Sequence, residues 1–354
     1  MHPSPISASR SDGVAILRID QPPVNAIGAP VRAALSGALD ALEADSEIRA
    51  VVIAGAGRMF SGGGDLREVG RPDAPGTVTM SALARRIETF PKPVAAAVHG
   101  RCIGGGMLLS MGCHVRVGAA DTLLMLPELN LGLVPGAGGT QRLPRLVGLA
   151  AALDLVTRAR SWDAASARAR GWLDAVADDP VAEAARLALD VAAGRRPWRR
   201  TAQLPVSDSD AEGLRAHYLD VVSEAFPGRE AGPAAVELVL AAARTDFEQG
   251  CADERATFAR LAEGAQARAL LHLFFAERAL AKADDAPDAP ARAQLAQRLG
   301  AAGAAVPPFT GWIEAARSCL REGLASRPEF IDVIAVKDCG FPALYGGPLH
   351  YGQH

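Results

Sequence analysis

Lysine is scarce in this sequence: only Lys92, Lys282 and Lys337 occur among 354 residues, which leaves few candidates for Schiff-base chemistry. The five cysteines (Cys102, Cys113, Cys251, Cys319, Cys339) are scattered, with no CxxC pair and no zinc-ligand spacing. Such an unpatterned set suits a reducing compartment, and a cytoplasmic location with no bound metal is expected. No apolar run approaches the ~20 residues of a membrane span. The best, at residues 146–156 and 234–243, are cut by Asp154 and Glu237, so no membrane span is expected. The first thirteen residues lack an apolar stretch, so no secretory signal is expected. Positive charge is not in excess either. With 37 basic and 40 acidic residues the net charge is −3, which argues against a nucleic-acid partner. What the chain does have is 49% hydrophobic and 22% charged residues, enough for a large core and incompatible with disorder over most of its length. At about 150 residues per domain, the length allows roughly two domains.

Strand and helix signals alternate through the first 190 residues. Residues 13–20 form a short apolar run ended by Gln21-Pro22-Pro23, which predicts a strand. Val31, Leu35, Leu39 and Leu42 recur at helical spacing behind Pro30. Residues 49–54, 93–98, 114–117 and 122–126 read as further strands, and 81–90 as a helix. The triple glycine 104–106 opens a buried helix, and the GAGGT turn leads to another from about Gln141. Ser161 reads as the N-cap of an Ala-rich helix ending near Gly171. Such repeated units predict an α/β fold with helices outside the sheets. Residues 194–210 lose all periodicity and are rich in Arg, Pro and Ser, as in a linker. Beyond it, residues 234–247, 253–261 and 265–282 carry apolar positions three and four apart. Residues 284–290 (DDAPDAP) read as a second linker. A helix over 311–322 follows, and Ser326 with Glu329 has the spacing of a capping box for one more short helix.

Three glycine-rich loops stand out: residues 55–65, 104–106 and 136–139. A dinucleotide fingerprint fails at the first, because Phe60 occupies the third glycine position of GxGxxG and no helix begins there. None is a Walker A loop. Glycines also permit close backbone approach, and two loops that aim N–H groups at one point stabilise charge on a carbonyl oxygen. Losing one such donor costs about 2.7–4 kcal/mol of barrier in the best-studied case. Gly105, at the start of an apolar helix, has an unpaired amide and a favourable helix dipole.

Together these loops resemble the crotonase (enoyl-CoA hydratase/isomerase) family. The resemblance runs through PPVNA (22–26), VVIAGAGRMFSGGGDL (51–66), PKPVAAAVHGRCIGGG (91–106) and LPELNLGLVPGAGGTQRLPRLVG (126–148). GCHVRVG (112–118), FFAERALAK (274–282) and the tail over 319–352 are similar to parts of the multifunctional β-oxidation proteins. Those fuse this module to 3-hydroxyacyl-CoA dehydrogenase, whose nucleotide-binding domain has no counterpart in the sequence. The resemblance implies an α/β fold, a crotonase-like ββα spiral core over 1–193. A linker (194–211), a helical region (212–284) and a helical tail (285–354) similar to the dehydrogenase's last piece complete the expected layout. It implies an acyl-CoA substrate, with CoA part of that substrate rather than a cofactor, and no NAD. A trimer or hexamer follows by family, although the helical half would allow a monomer.

By the same resemblance, Gly64 and Gly105 supply the oxyanion-hole amides. Gly64, Asp65, Leu66 and Arg67 contact CoA, and Arg58 approaches its phosphates or is simply a solvated loop charge. Hydratases of the family use two glutamates. The second is present as Glu128, framed by apolar residues that should desolvate it and raise its pKa. The first is replaced by Leu108, which cannot activate water. The expected activity is therefore Δ3–Δ2 enoyl-CoA isomerisation, with Glu128 moving the proton from C2 to C4. A hydratase that uses Glu128 alone, or with Asp65 or Glu68, is the alternative, and a non-catalytic acyl-CoA binder is a third.

Overall fold

Strand β3 (Ala50–Gly55) is buried at every position, which suits a central strand covered on both faces. The computed structural model describes residues 4–72, 74–206, 210–304 and 306–353. Around β3 lie β1 (Ile6–Ser11), β2 (Val14–Ile19), β4 (Val94–Val98), β6 (Val115–Gly118) and β9 (Ala175–Val176), with β5 (Arg101–Ile103), β7 (Leu123–Met125) and β8 (Trp162–Asp163) in a separate sheet. The large sheet runs β1-β2-β3-β4-β6-β9. Its β1–β2 pair is antiparallel and every later pair is parallel. The small sheet runs β5-β7-β8. Strands β1 and β5 carry no apolar alternation, and the sequence reading did not find them.

Helices α1 (Ala29–Glu43), α2 (Met80–Glu88) and α3 (Gly105–Ser110) connect the early strands. The stripe Val31, Leu35, Leu39 and Leu42 is buried as its spacing predicted. Next come α4 (Gly139–Val147), α5 (Leu149–Arg158), α6 (Ala164–Ala169) and α7 (Pro180–Ala192). One face of the large sheet packs on α7. Small residues Ala50, Ala54, Ala95 and Ala97 let Leu187, Ala188 and Val191 approach closely. The cap of α6 differs from the sequence expectation: Asp163, not Ser161, accepts the Ser166 amide at 2.7 Å, because β8 occupies residues 162–163. Residues 194–206 are not a free tether. They include a short 3-10 turn, Thr201–Gln203, and Arg196 and Arg199 bind the buried Asp174 at 2.5 and 2.9 Å. Residues 207–209 of that expected linker lie outside the described residues.

The helical half comprises α8 (Ala211–Ala225), α9 (Ala231–Ala241), α10 (Phe247–Ala262), α11 (Ala265–Leu280), α12 (Ala289–Gly300), α13 (Thr310–Arg321), α14 (Pro328–Cys339) and α15 (Pro348–Tyr351). Asp288 caps α12, so the second expected linker ends inside a helix start. The expected capping box does not form. Arg327 stands at the N-cap of α14 with no side-chain bond to the helix amides, and Ser326 Oγ donates to the Asp285 carbonyl at 3.1 Å.

Two compact units result: Met1–Leu129 with Val134–Ala259, and Asn130–Leu133 with Arg260–His354. Among the described residues no helix is long and apolar enough to cross a membrane. The second unit has its own core, with Leu299, Phe309, Trp312, Phe330 and Phe341 buried together. Its last turns are tied to α14 by Asp332, which is 1% exposed and accepts from Leu349 N (2.7 Å), His350 N (3.1 Å) and His272 Nε2 (3.0 Å). Asp332→Ala strands both backbone donors. It is expected to destabilise this unit by about 2–3 kcal/mol in urea unfolding, with faster proteolysis after residue 340. Wild-type resistance in the variant would show that the carboxylate is dispensable.

Candidate active site

The loop after β3 is held by two polar side chains buried beneath it. Asn25, 4% exposed, accepts the Gln21 amide at 3.0 Å and donates to the carbonyls of Ala56 and Met59, both at 2.9 Å. Ser61 Oγ donates to the Asn25 carbonyl at 2.7 Å and accepts the Gly63 amide at 3.1 Å. Ile27 N then donates to the Gly63 carbonyl at 2.8 Å. The facing loop is fixed by Gly104 N, which donates to Met125 O at 2.9 Å. Both preceding amides, Gly63 and Gly104, are thus paired. The amides of Gly64 and Gly105 have no hydrogen-bond acceptor among the described residues. Gly105 is the first residue of α3, where an amide has no partner within the helix. The two loops touch so closely that a Cβ on Gly105 would stand 2.6 Å from Gly64 N. The two loops thus bring Gly64 N close to Gly105.

Glu128 opens a 3-10 turn, Glu128–Leu131, just beyond β7. A Cβ on Gly104 would stand 3.1 Å from Glu128 Oε1, so the carboxyl lies against the loop that carries the Gly105 amide. Its Oε2 is buried and unpartnered among the described residues. Burial pushes the carboxyl up to about 7; its own backbone amide opposes this and the charge of Glu254 adds to it. Leu108, 5% exposed, lies one turn into α3 and packs so tightly on Gly139 that a Cβ there would collide with Leu108 Cδ2. Position 108 thus presents an apolar side chain.

The remaining predicted residues are placed as follows. Arg58 is exposed and lines a surface cavity of about 340 Å³ with Met59, Gly100, Arg101, Asp121 and Leu123. Arg67 chelates Asp65 through contacts of 2.9 and 2.6 Å, which holds that carboxyl below its ordinary value, and Leu66 is half-buried. Glu68 accepts the Ala29 amide and Arg32 Nη1, each at 2.7 Å. It therefore caps α1 rather than facing the two amides. His114 is a core histidine: Nδ1 accepts the Val94 amide at 2.9 Å, and burial lowers it to about 4. Among the described residues no group of three or more His, Cys, Asp or Glu side chains is placed to hold a metal ion.

Two residues escaped the sequence reading. Glu254 of α10 is fully buried and accepts from Gly138 N (2.6 Å), Thr140 N (2.9 Å) and Thr140 Oγ1 (2.7 Å) at the start of α4. Arg229 Nη1 donates to the Leu129 carbonyl at 2.7 Å, directly after Glu128. Neither has a local signature, because their partners lie about a hundred residues away in the chain.

Residues 9–197 match the protein family described as enoyl-CoA hydratase/isomerase. The chain belongs to this family. It is 39% identical over 269 residues to the human peroxisomal bifunctional enzyme, covering 75% of this chain and 37% of that one. To the peroxisomal fatty acid beta-oxidation multifunctional protein AIM1 of Arabidopsis thaliana it is 33% identical over 290 residues, covering 78% and 40%. The chain thus spans about two-fifths of the length of these relatives. The crystal structure of the enoyl-CoA hydratase/isomerase from Pseudoalteromonas atlantica T6c superposes with a TM-score of 0.57 at 24% identity, covering 77% of this chain and 97% of that one, a likeness in fold. The α/β crotonase-like core with a helical C-terminal region is therefore shared.

In this family member, the folded state holds the Glu128 proton up to about pH 7, whereas the unfolded chain releases it near 4.5. Stability is thus lost as pH rises through that window. Glu128→Gln, which cannot ionise, is expected to melt above wild type at pH 8, with the gap closing at pH 4. An equal gap at both pH values would contradict a buried, proton-retaining carboxyl.

Proposed function

We propose that this chain catalyses the Δ3–Δ2 double-bond shift of enoyl-CoA thioesters. The observation that carries the reading is the unpartnered Glu128 carboxyl beside two free amides, with leucine at position 108. The thioester oxygen takes the Gly64 and Gly105 N–H bonds, so charge that develops on it after proton removal is stabilised by preorganised donors. Ionised Glu128 accepts a proton from C2, and the electron pair moves into a dienolate. The carboxylic acid then returns the proton to C4, leaving the 2-enoyl product and the carboxylate. No water is consumed, which suits the apolar wall at Leu108. The exposed Arg58 is suited to the CoA phosphates, and the loop residues Gly64, Asp65, Leu66 and Arg67 to its adenine and pantetheine. Since Glu128 must be ionised to begin, turnover should rise with pH through about 7.

Hydration is the second reading, favoured by the family description itself. It requires Glu128 to handle water alone, because Asp65 is tied to Arg67 and Glu68 to α1. Offering a 3-enoyl-CoA and crotonyl-CoA side by side separates the two. Consumption of the 3-enoyl thioester without hydration of crotonyl-CoA is expected, and the reverse would transfer the assignment to hydratase. Glu128→Gln is expected to lower turnover about 10²–10⁴-fold while acyl-CoA still binds. Binding without turnover in the wild type would indicate a non-catalytic acyl-CoA binder.

A further inference from the structure

Position 108 of α3 carries leucine, and a second fully buried carboxyl, Glu254, is bonded to the helix start on which Leu108 rests; it comes from beyond the matched residues 9–197. Glu254 is 0% exposed, and both its oxygens are engaged at the first turn of α4. That turn contains Gly139, the residue on which Leu108 rests. Leu108 N in turn donates to Gly104 O at 2.9 Å, and Gly104 touches the Glu128 carboxyl. A continuous packed path therefore joins the two acids.

We propose that Glu254 is a positioning residue for the reaction at Glu128: it fastens the first turn of α4 against Leu108 and places a second negative charge in the apolar surround of the base. The inference rests on the reading of Glu128 as that base. Each Glu254 oxygen accepts from a backbone N–H, of Gly138 or of Thr140, which cannot accept a proton in return. Such an environment favours the carboxylate. Glu128 Oε2 has no donor among the described residues. Of the two acids, Glu254 gives up its proton first, and Glu128 ionises against the charge that results.

Burial pushes each of them up to about 7. The other ionisable groups facing the pair are Arg142 of α4 and Cys251 of α10. Arg142 is itself bound to the buried Glu88 at 2.7 Å, which offsets much of its charge, and burial keeps the Cys251 thiol neutral, pushed up to about 12.

The test follows protonated-carboxyl bands by infrared titration of the full chain, alongside pH–rate profiles. In Glu254→Gln the Glu128 band and the acid limb of the rate profile are expected to move down by about one pH unit. Glu254→Asp keeps the charge and should leave the limb in place, even where packing and melting temperature suffer. Because Glu254 ionises while Glu128 still holds its proton, the Glu254 band is expected to titrate unchanged in Glu128→Gln. This arm needs neither activity nor a foldable Glu254 variant, and it stays informative if Glu128 proves not to be the base. A Glu128 band that titrates unchanged in Glu254→Gln would overturn the proposal, as would a Glu254 band lowered in Glu128→Gln or equal limb shifts in Glu254→Asp and Glu254→Gln.

Discussion

A carboxyl group kept out of water is costly to ionise, and the surroundings of Glu128 are arranged around that cost. Its backbone is held by β7 and by Arg229 at the next carbonyl, so the side chain stays against Gly104 instead of turning toward solvent. Desolvation pushes its proton affinity up to about 7, which in the proposed reaction lets it both take and return a proton near neutral pH. In the proposed reaction the Gly64 and Gly105 amides supply what the carboxylate cannot, a fixed positive field for the oxygen that becomes negative.

The sheet and its helices serve to bring those three groups together. Loops after β3 and after β5 approach within a glycine's width, so any side chain at Gly105 would drive Gly64 away. Asn25 and Ser61 then hold the first loop through buried hydrogen bonds, while Met125 holds the second. Buried polar groups of this kind are expensive when broken, which keeps the two amides in one arrangement.

Much of this geometry was legible in the sequence because it is local. Apolar spacing gave α1 and the uninterrupted apolar run gave β3, while the resemblance carried by the glycine loops, PPVNA and LPELN implied the roles of Gly64, Gly105 and Glu128. Other features depended on partners far along the chain. Ser161 looked like a cap until β8 claimed residues 162–163 and handed the role to Asp163. Asp65 and Glu68 looked available as second acids, yet Arg67 and the start of α1 occupy them. Glu254 has no local signature in the sequence. Only the fold reveals that α10 turns it toward α4, with every hydrogen bond going to residues 138 and 140.

The central claim concerns where a thioester oxygen rests, and a crystal structure with a bound, unreactive acyl-CoA reads that position directly. The account predicts the oxygen within about 3 Å of both Gly64 N and Gly105 N, with the Glu128 carboxyl facing C2. An oxygen bonded elsewhere, or a Glu128 side chain turned to bulk water in that complex, would contradict it.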